Sequence, residues 1–360
     1  MTQPHAEAAK IQSLEGLRGL MAWWVVVGHV SHSFGWRLPL TDRNTLPVDV
    51  FILLSGFVIA RLIDRRGEGY GPYLTRRACR LFPPYLVVLA VSAVLLPVQL
   101  QAWTAAPFTD DNRDRIFLAQ QGLAHLPAHL AVHLALLQGL IPRSILPGAA
   151  YTIVGHGWSL SLEWQFYLVA PLIMAALVAG KRIPGLLLVA FAALLIVLAP
   201  HFVEGFLGAR ILHFLIGMGS YLALNRPGER RIWLGAVLAL AILAVALSGL
   251  WQIAPLAIWA LALASSSAPS HSPAHLPARA LGSKPAVHFG EMSYSLYLVH
   301  MIPLFSAIFV LTRLGLTGAG LQASVLAATL IGSYALARLN FLFVERPAIA
   351  LGARLTKRSI

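Results

Sequence analysis

Arg18 and His29 stand eleven positions apart in an otherwise apolar run, Leu17-Arg18-Gly19-Leu20-Met21-Ala22-Trp23-Trp24-Val25-Val26-Val27-Gly28-His29. On an α-helix, eleven residues at about 100° each return to within about 20° of the starting face, so the two side chains share one stripe about 16 Å apart along the axis. An ionisable group in a lipid-embedded helix costs several kcal/mol unless it faces protein or water, which makes both residues functional candidates. An imidazole at that depth can exchange a proton with a hydroxyl, whereas a guanidinium near one end can hold an anion or snorkel to the membrane edge.

Fourteen acidic residues are present in all, so those inside apolar segments stand out. Asp49 opens Asp49-Val50-Phe51-Ile52-Leu53-Leu54-Ser55-Gly56-Phe57, and Glu163 lies in Trp158-Ser159-Leu160-Ser161-Leu162-Glu163-Trp164-Gln165-Phe166-Tyr167. Either carboxylate could orient a histidine and tune it as a general base. Equally, Asp49 could cap a helix start and Glu163 could satisfy a buried network. Arg76, Arg77 and Arg80 cluster before Pro83, with Arg77 and Arg80 three apart on one helical face, a good arrangement for multidentate phosphate binding. His300 follows Ser293-Tyr294-Ser295-Leu296-Tyr297-Leu298-Val299 and either lines a cavity or is a satisfied buried histidine.

Other patterns exclude chemistry. His125, His129 and His133 recur every four residues, but without HExxH or a nearby acid they read as an interfacial amphipathic helix, and no metal is expected. The single cysteine, Cys79, rules out an internal disulfide and a Cys-cluster metal site. GxSxG, GxGxxG and GxxxxGK[ST] are absent, leaving serine hydrolase, Rossmann and P-loop readings without support.

The elements that position these residues are apolar helices. Of 360 residues, 58% are hydrophobic and 11% charged, with a mean hydropathy of +0.73. Soluble domains carry about 25% charged residues, so the composition predicts an all-α polytopic bundle in a lipid bilayer. Ten spans are expected near 14–34, 47–64, 81–101, 157–179, 185–201, 206–224, 232–250, 252–267, 290–311 and 321–343. The first is read as a retained span, not a signal peptide. The net charge of +13 falls mostly in short loops, Arg61 to Arg80, Lys181-Arg182, Arg226 to Arg231 and Arg279 to Lys284, and in the tail with Arg354, Lys357 and Arg358. The positive-inside rule puts all of these on the cytoplasmic side if 116–141 does not cross, with both termini cytoplasmic and 116–141 a re-entrant or surface helix outside. That distribution, with no aromatic–basic motif, argues against nucleic acid as a partner. The layout is a tail (1–13), one membrane domain (14–347) and a second tail (348–360), with a Ser/Pro/His-rich loop at 265–287. In this topology His29, Asp49 and Glu163 fall in the outer half of the membrane, and Arg18 near the inner face.

Six segments together resemble the acyltransferase-3 family of integral-membrane acyltransferases. They are Arg18 with His29; Asp49 to Phe57; Arg77 to Tyr85; Trp158 to Tyr167; Ser293 to His300; and Glu345-Arg346-Pro347, in the family's order. The resemblance implies transfer of an acyl group, usually acetyl, from cytoplasmic acyl-CoA to a hydroxyl of a glycan, glycolipid or glycosylated metabolite, in a bacterial cytoplasmic membrane. Some members carry an SGNH-type domain after the bundle; this sequence is read as the stand-alone form. Arg18, Arg76, Arg77 and Arg80 would hold the CoA phosphates, with a pantetheine arm of length comparable to the Arg18–His29 gap. His29 would then deprotonate the acceptor, oriented by Glu163 or Asp49, or less favourably take the acyl group itself. Ser55, Trp158 and Tyr297 are candidate oxyanion donors or substrate contacts, with His300 beside them. A proton-coupled transporter or flippase of a sugar-containing lipid shares the hydropathy, but needs no arginine cluster matched in distance to a histidine.

Overall fold

The computed structural model describes residues 3–36 and 43–357, with side chains from Gln12 onward. Arg358 of the basic tail and residues 1–2 of the expected N-terminal tail lie outside the described residues. Among those described, every regular element is a helix. The first six are α1 (Gln3–Phe34), α2 (Thr45–Arg66), α3 (Tyr70–Val94), α4 (Leu96–Ala105), α5 (Asp110–Ala124) and α6 (Leu126–Leu134). After an irregular stretch come α7 (Trp158–Val178), α8 (Arg182–Leu198), α9 (Ile211–Asn225), α10 (Arg230–Ser248) and α11 (Ile253–Ser267). The rest are α12 (Leu276–Leu281), α13 (Lys284–Glu291), α14 (Ser293–Val299), α15 (Met301–Arg313), α16 (Gly318–Asn340) and α17 (Arg346–Lys357).

Eight stretches are long and apolar enough to cross a membrane: those built on α2, α3, α7, α8, α10 and α11, on α14 with α15, and on α16 with α17. The other two of the ten expected segments fall on the 32-residue α1 and the 15-residue apolar α9, which are not among these eight. The outward faces are themselves apolar, as along α8 (Ile183, Leu186, Leu187, Val189, Val197) and α10 (Ile232, Leu238, Ile242, Leu247). Helices satisfy their backbone internally, so such faces suit lipid, and the protein is an integral multi-pass membrane bundle.

Element ends depart from expectation where prolines and polar residues were read as stops. Helix α3 begins at Tyr70, before the expected 81, and carries Arg76, Arg77 and Arg80 within the helix; Pro83 and Pro84 sit inside it. The expected stretch to 101 is instead split at Leu95, after which Pro97 opens α4. Polar residues from Gln3 onward are helical and continuous with the first apolar run. Segment 116–141 falls in α5, α6 and a short 3₁₀ turn at Gln138–Leu140. His125 is exposed, but His129 and His133 are buried: His133 donates from Nε2 to the Ala149 carbonyl (2.9 Å) and accepts from the Tyr85 hydroxyl at Nδ1 (2.8 Å).

The core centres on α2 and α9, packed along each other and flanked by α1, α10 and α11. Close approach requires glycine: a Cβ on Gly56 would collide with the Phe214 carbonyl, and one on Gly217 with that of Leu53. Helix α9 is buried from Ile211 to Ala223, which is why it can be short and apolar on every side. A second apolar cluster gathers Val30 and Phe34 of α1 with Trp103 of α4 and Leu304, Phe305 and Ile308 of α15. Helix α1 therefore runs from one packing environment into another, with Arg18 in the first and His29 at the border of the second.

Candidate active site

The first of two cavities, of about 160 Å³, is lined by Arg18 and Glu15 of α1, Ser55 of α2, Arg77 and Arg80 of α3, Ser159, Glu163 and Tyr167 of α7, and Tyr294 and Tyr297 of α14. Three guanidiniums thus face two carboxylates. Arg18 is paired with Glu15 one turn earlier (3.3 Å). Glu163 accepts from Ser55 Oγ (3.1 Å) and from the Tyr167 hydroxyl. Arg77 lies over the Tyr167 ring, 5.9 Å from its centroid. Behind this wall α16 passes into α17 through a π-turn at Phe341–Glu345, which turns buried Glu345 inward, where its charge is the main one balancing Arg80. Glu345 accepts from Ser295 Oγ (2.6 Å), and Ser295 accepts from Asn340 Nδ2 (3.1 Å), so a chain of hydrogen bonds holds the carboxylate.

The second cavity, of about 490 Å³, is lined by His29 of α1, Trp103 of α4, Asp111, Asp114 and Arg115 of α5, and Arg143, Tyr151, His156 and Glu204 of the long connections. Helix α5 is fastened to α1 by four contacts. His32 Nδ1 bonds Asp111 Oδ1 (3.1 Å), Asn112 Nδ2 donates to the Ser33 carbonyl (2.8 Å), and Arg115 Nη1 donates to Ser33 Oγ (2.7 Å). Arg115 Nη2 donates to His29 Nδ1 (3.3 Å) while its guanidinium covers the Trp103 ring at 4.6 Å. Burial pulls Arg115 down to about 10, still fully protonated at neutral pH and therefore a donor only. The hydrogen bond from His32, with the positive charges of His32 and Arg115, holds Asp111 below the usual carboxylate value against the opposing effect of burial.

The two cavities share no lining residue; Tyr297 of the first and His156 of the second stand between them. The Tyr297 hydroxyl donates to the His156 carbonyl (2.9 Å) and shares a hydrogen bond with Ser159 Oγ (2.8 Å), and its ring packs edge-on against His156 at 5.1 Å. His300, the residue between α14 and α15, sits behind this seam with its ring 5.1 Å from His29 and 4.6 Å from His156. Three imidazoles so close invite a metal, yet among the described residues no group of three or more His, Cys, Asp or Glu is arranged to hold one.

Placement corrects several sequence expectations. Arg18, Arg77, Arg80, Glu163, Ser55 and Tyr297 converge on one cavity. Arg76 does not join them: it turns away to Glu68 (2.5 Å), which ends the loop before α3. Asp49 lies apart from His29, because it is fully buried against Arg210 Nε (2.6 Å) and Gln252 Nε2 (3.1 Å) on the α2–α9 side. Both of its oxygens are turned to these partners, so it does not orient the His29 imidazole. Glu163 lines the arginine cavity, not the one holding His29, since α7 turns it toward Ser55 and Arg77. Trp158 is packed in the core and lines neither cavity. The partner expected to be a carboxylate on His29 is the cation Arg115. His156 and Arg115 are not among the residues the sequence singled out, and neither has a periodicity that would have marked it.

A family-wide sequence model described as "Acyltransferase domain" matches residues 11–338. Komagataeibacter xylinus has a similar chain named "Putative membrane-bound transacylase BcsY", 29% identical over 352 residues, 94% of this chain and 83% of that one. The acyltransferase MdmB of Streptomyces mycarofaciens is 25% identical over 334 residues, 81% of this chain and 79% of its own. Protein 2 of the picA locus of Rhizobium radiobacter is 31% identical over 159 residues, 42% of this chain and 75% of its own. No solved structure matches the chain.

Proposed function

This chain belongs to the acyltransferase-3 family of membrane acyltransferases, and from that premise we propose that it moves an acyl group, most simply acetyl, from acyl-CoA on the cytoplasmic side to a hydroxyl of a glycan, glycolipid or glycosylated metabolite reaching it from the other side. One observation carries the reading: one helix supplies Arg18 to the first cavity and His29 to the second, and the two cavities are separated by the contact of Tyr297 with His156. Excess guanidinium charge suits the phosphates of CoA, with Arg77 and Arg80 one helical turn apart for multidentate contact. The arginine cavity itself has room for a narrow thioester arm, not for the nucleotide, which would remain at the cytoplasmic mouth. The larger cavity mixes Asp111, Asp114, Glu204, Arg143 and Tyr151. Such a set of donors and acceptors suits the hydroxyls of a sugar, and the His29 imidazole stands where an acceptor hydroxyl and the acyl carbon would meet.

The chemistry is a displacement at the thioester carbonyl. The acceptor oxygen bonds to the acyl carbon, the C–S bond breaks, and the hydroxyl proton passes through the imidazoles to the departing thiolate, giving ester and CoA thiol. Holding both substrates across one seam makes the encounter effectively unimolecular. The test uses inner-membrane vesicles containing the protein, supplied with acetyl-CoA labelled in the acetyl group. The expected result is alkali-labile label in the glycan or glycolipid fraction. Unchanged acetyl-CoA beside proton-coupled movement of a lipid-linked sugar would replace this reading with transport.

A further inference from the structure

The hydrogen bonds around the three clustered histidines fix where each carries its proton. A backbone carbonyl can only accept, so His156, bonded through Nε2 to the Leu298 carbonyl (2.9 Å), carries its proton on Nε2 and leaves Nδ1 a bare lone pair. By the same logic His300, bonded through Nδ1 to the Tyr297 carbonyl (2.7 Å), leaves Nε2 bare. Arginine can only donate, so Nδ1 of His29 is an acceptor and the neutral His29 ring carries its proton on Nε2. Both bare nitrogens, His156 Nδ1 and His300 Nε2, are buried without a partner among the protein's groups, on rings 4.6 Å apart and at most 4% exposed. Buried acceptors of this kind are rare in folded proteins unless a donor comes to them from a ligand or water.

Resting on the acyl-transfer reading, we propose that this centre divides its labour: His29 meets the substrates as an N–H donor, and the proton of the acceptor hydroxyl goes to the His156–His300 pair, with Arg115 the positioning residue that enforces the division. In the step itself the acceptor O–H bond breaks toward a bare nitrogen of the pair, and the oxygen bonds to the acyl carbon. Negative charge developing on the thioester oxygen is met by the His29 Nε2–H, and the C–S bond then breaks. The departing thiolate takes the proton back from the pair, returning all three rings to their starting forms. A guanidinium occupies the place where a histidine acting as base would have a carboxylate, and that substitution inverts the role of the ring. Neither carboxylate expected to orient His29 is free to do so: Asp49 is engaged by Arg210 and Gln252, and Glu163 by Ser55 and Tyr167.

Side-chain amides separate the roles because they copy one ring nitrogen each. His29→Gln keeps an N–H near the Nε2 position, His156→Gln keeps the donor to Leu298, and His300→Asn keeps the donor to Tyr297; the last two remove only the basic nitrogen. Each variant is purified in lipid nanodiscs and its hydrolysis of acetyl-CoA, with water as acceptor, is followed beside wild type. His29→Gln is expected to retain at least a tenth of wild-type rate where His29→Ala falls 100-fold or more, while His156→Gln and His300→Asn each lose 10-fold or more. His29→Gln as inactive as His29→Ala, with His156→Gln and His300→Asn at wild-type rate, would overturn the division and return His29 to the role of base. Wild type unable to cleave acetyl-CoA overturns the donor assignment instead, and tautomers then decide this proposal independently. Nitrogen-15 spectra of the histidines, assigned by difference against the same variants, should give Nε2–H for His29 and His156 and Nδ1–H for His300. Arg115→Met should lose the single His29 tautomer; a His29 signal unchanged in Arg115→Met contradicts the positioning role.

Discussion

The two cavities on either side of the Tyr297–His156 contact are built on different principles. In the arginine cavity, function is a matter of net charge: three guanidiniums against Glu15 and Glu163, with Glu345 set behind Arg80 by a π-turn. In the histidine cavity, function is a matter of proton position. His29, His156 and His300 are each given one tautomer by a neighbour that can only donate or only accept. Charge tolerates a degree of geometric play, because a phosphate can be held by several arrangements of arginine. Proton position does not, because moving one hydrogen exchanges donor for acceptor. The histidine cavity is accordingly clamped by α5 through four contacts to α1, whereas the arginine cavity gathers its polar and charged residues from five helices, α1, α2, α3, α7 and α14.

The largest effect that sharpens the contrast is on turnover. His29→Ala should lower acyl transfer by about 100-fold or more, the usual range for a lost acid–base or oxyanion group, while leaving the fold intact. Next in size, and neutral between the cavities, is Asp49→Ala. It strands Arg210 in the core, and breaking a buried pair costs about 3–5 kcal/mol, so unfolding temperature should fall sharply in the absence of any substrate. A variant that is stable but inactive would place Asp49 at the chemistry after all. Arg77→Ala removes one charge-assisted phosphate contact, worth about 1.5–3 kcal/mol, and should weaken CoA binding 10-fold or more. Tyr297→Phe deletes the hydroxyl shared by Ser159 and the His156 carbonyl at the seam, and about 1 kcal/mol or a few-fold loss in rate is expected, with CoA binding unchanged.

The smallest effect concerns the clamp. Asp111 is half exposed, so Asp111→Asn should cost below about 1 kcal/mol. Its depressed folded-state pKa means that the pair stabilises docking at pH above the unfolded value near 4 and loses that contribution as pH falls through the lower folded value. Hydrogen exchange along α5 should therefore be flat with respect to this carboxylate from pH 7 to pH 5, after correction for intrinsic rates, and rise only below about pH 4. A rise between pH 7 and pH 5 that disappears in Asp111→Asn would contradict the assignment.

The apolar segments and the grouping of Arg18 with Arg77 and Arg80 were legible in the sequence, because charges inside apolar helices have few places to go; Glu163, expected beside His29, joins the arginines instead. Segment ends were less so: Pro83 and Pro84 are accommodated within α3, against their usual role as helix stops. Partners distant in sequence were not legible at all. Nothing near Asp49 announces Arg210, 161 positions away, and nothing near His29 announces Arg115. His129 and His133 have the spacing of an amphipathic surface helix but are buried, because the surface they would have covered is occupied by Tyr85 and the Ala149 turn. Trp158 lies within a recognisable segment, yet its ring packs into the core; position in a motif does not say which way a side chain turns.

The most direct test crosses the two cavities. Purified wild type, Arg77→Ala and His29→Ala in nanodiscs are each measured for thermal stabilisation by CoA and for cleavage of acetyl-CoA. Division of labour between the cavities requires that Arg77→Ala lose the stabilisation and that His29→Ala keep it while losing cleavage. If His29→Ala loses CoA stabilisation as fully as Arg77→Ala, the cavities are one binding site and the separation of donor binding from proton handling is wrong.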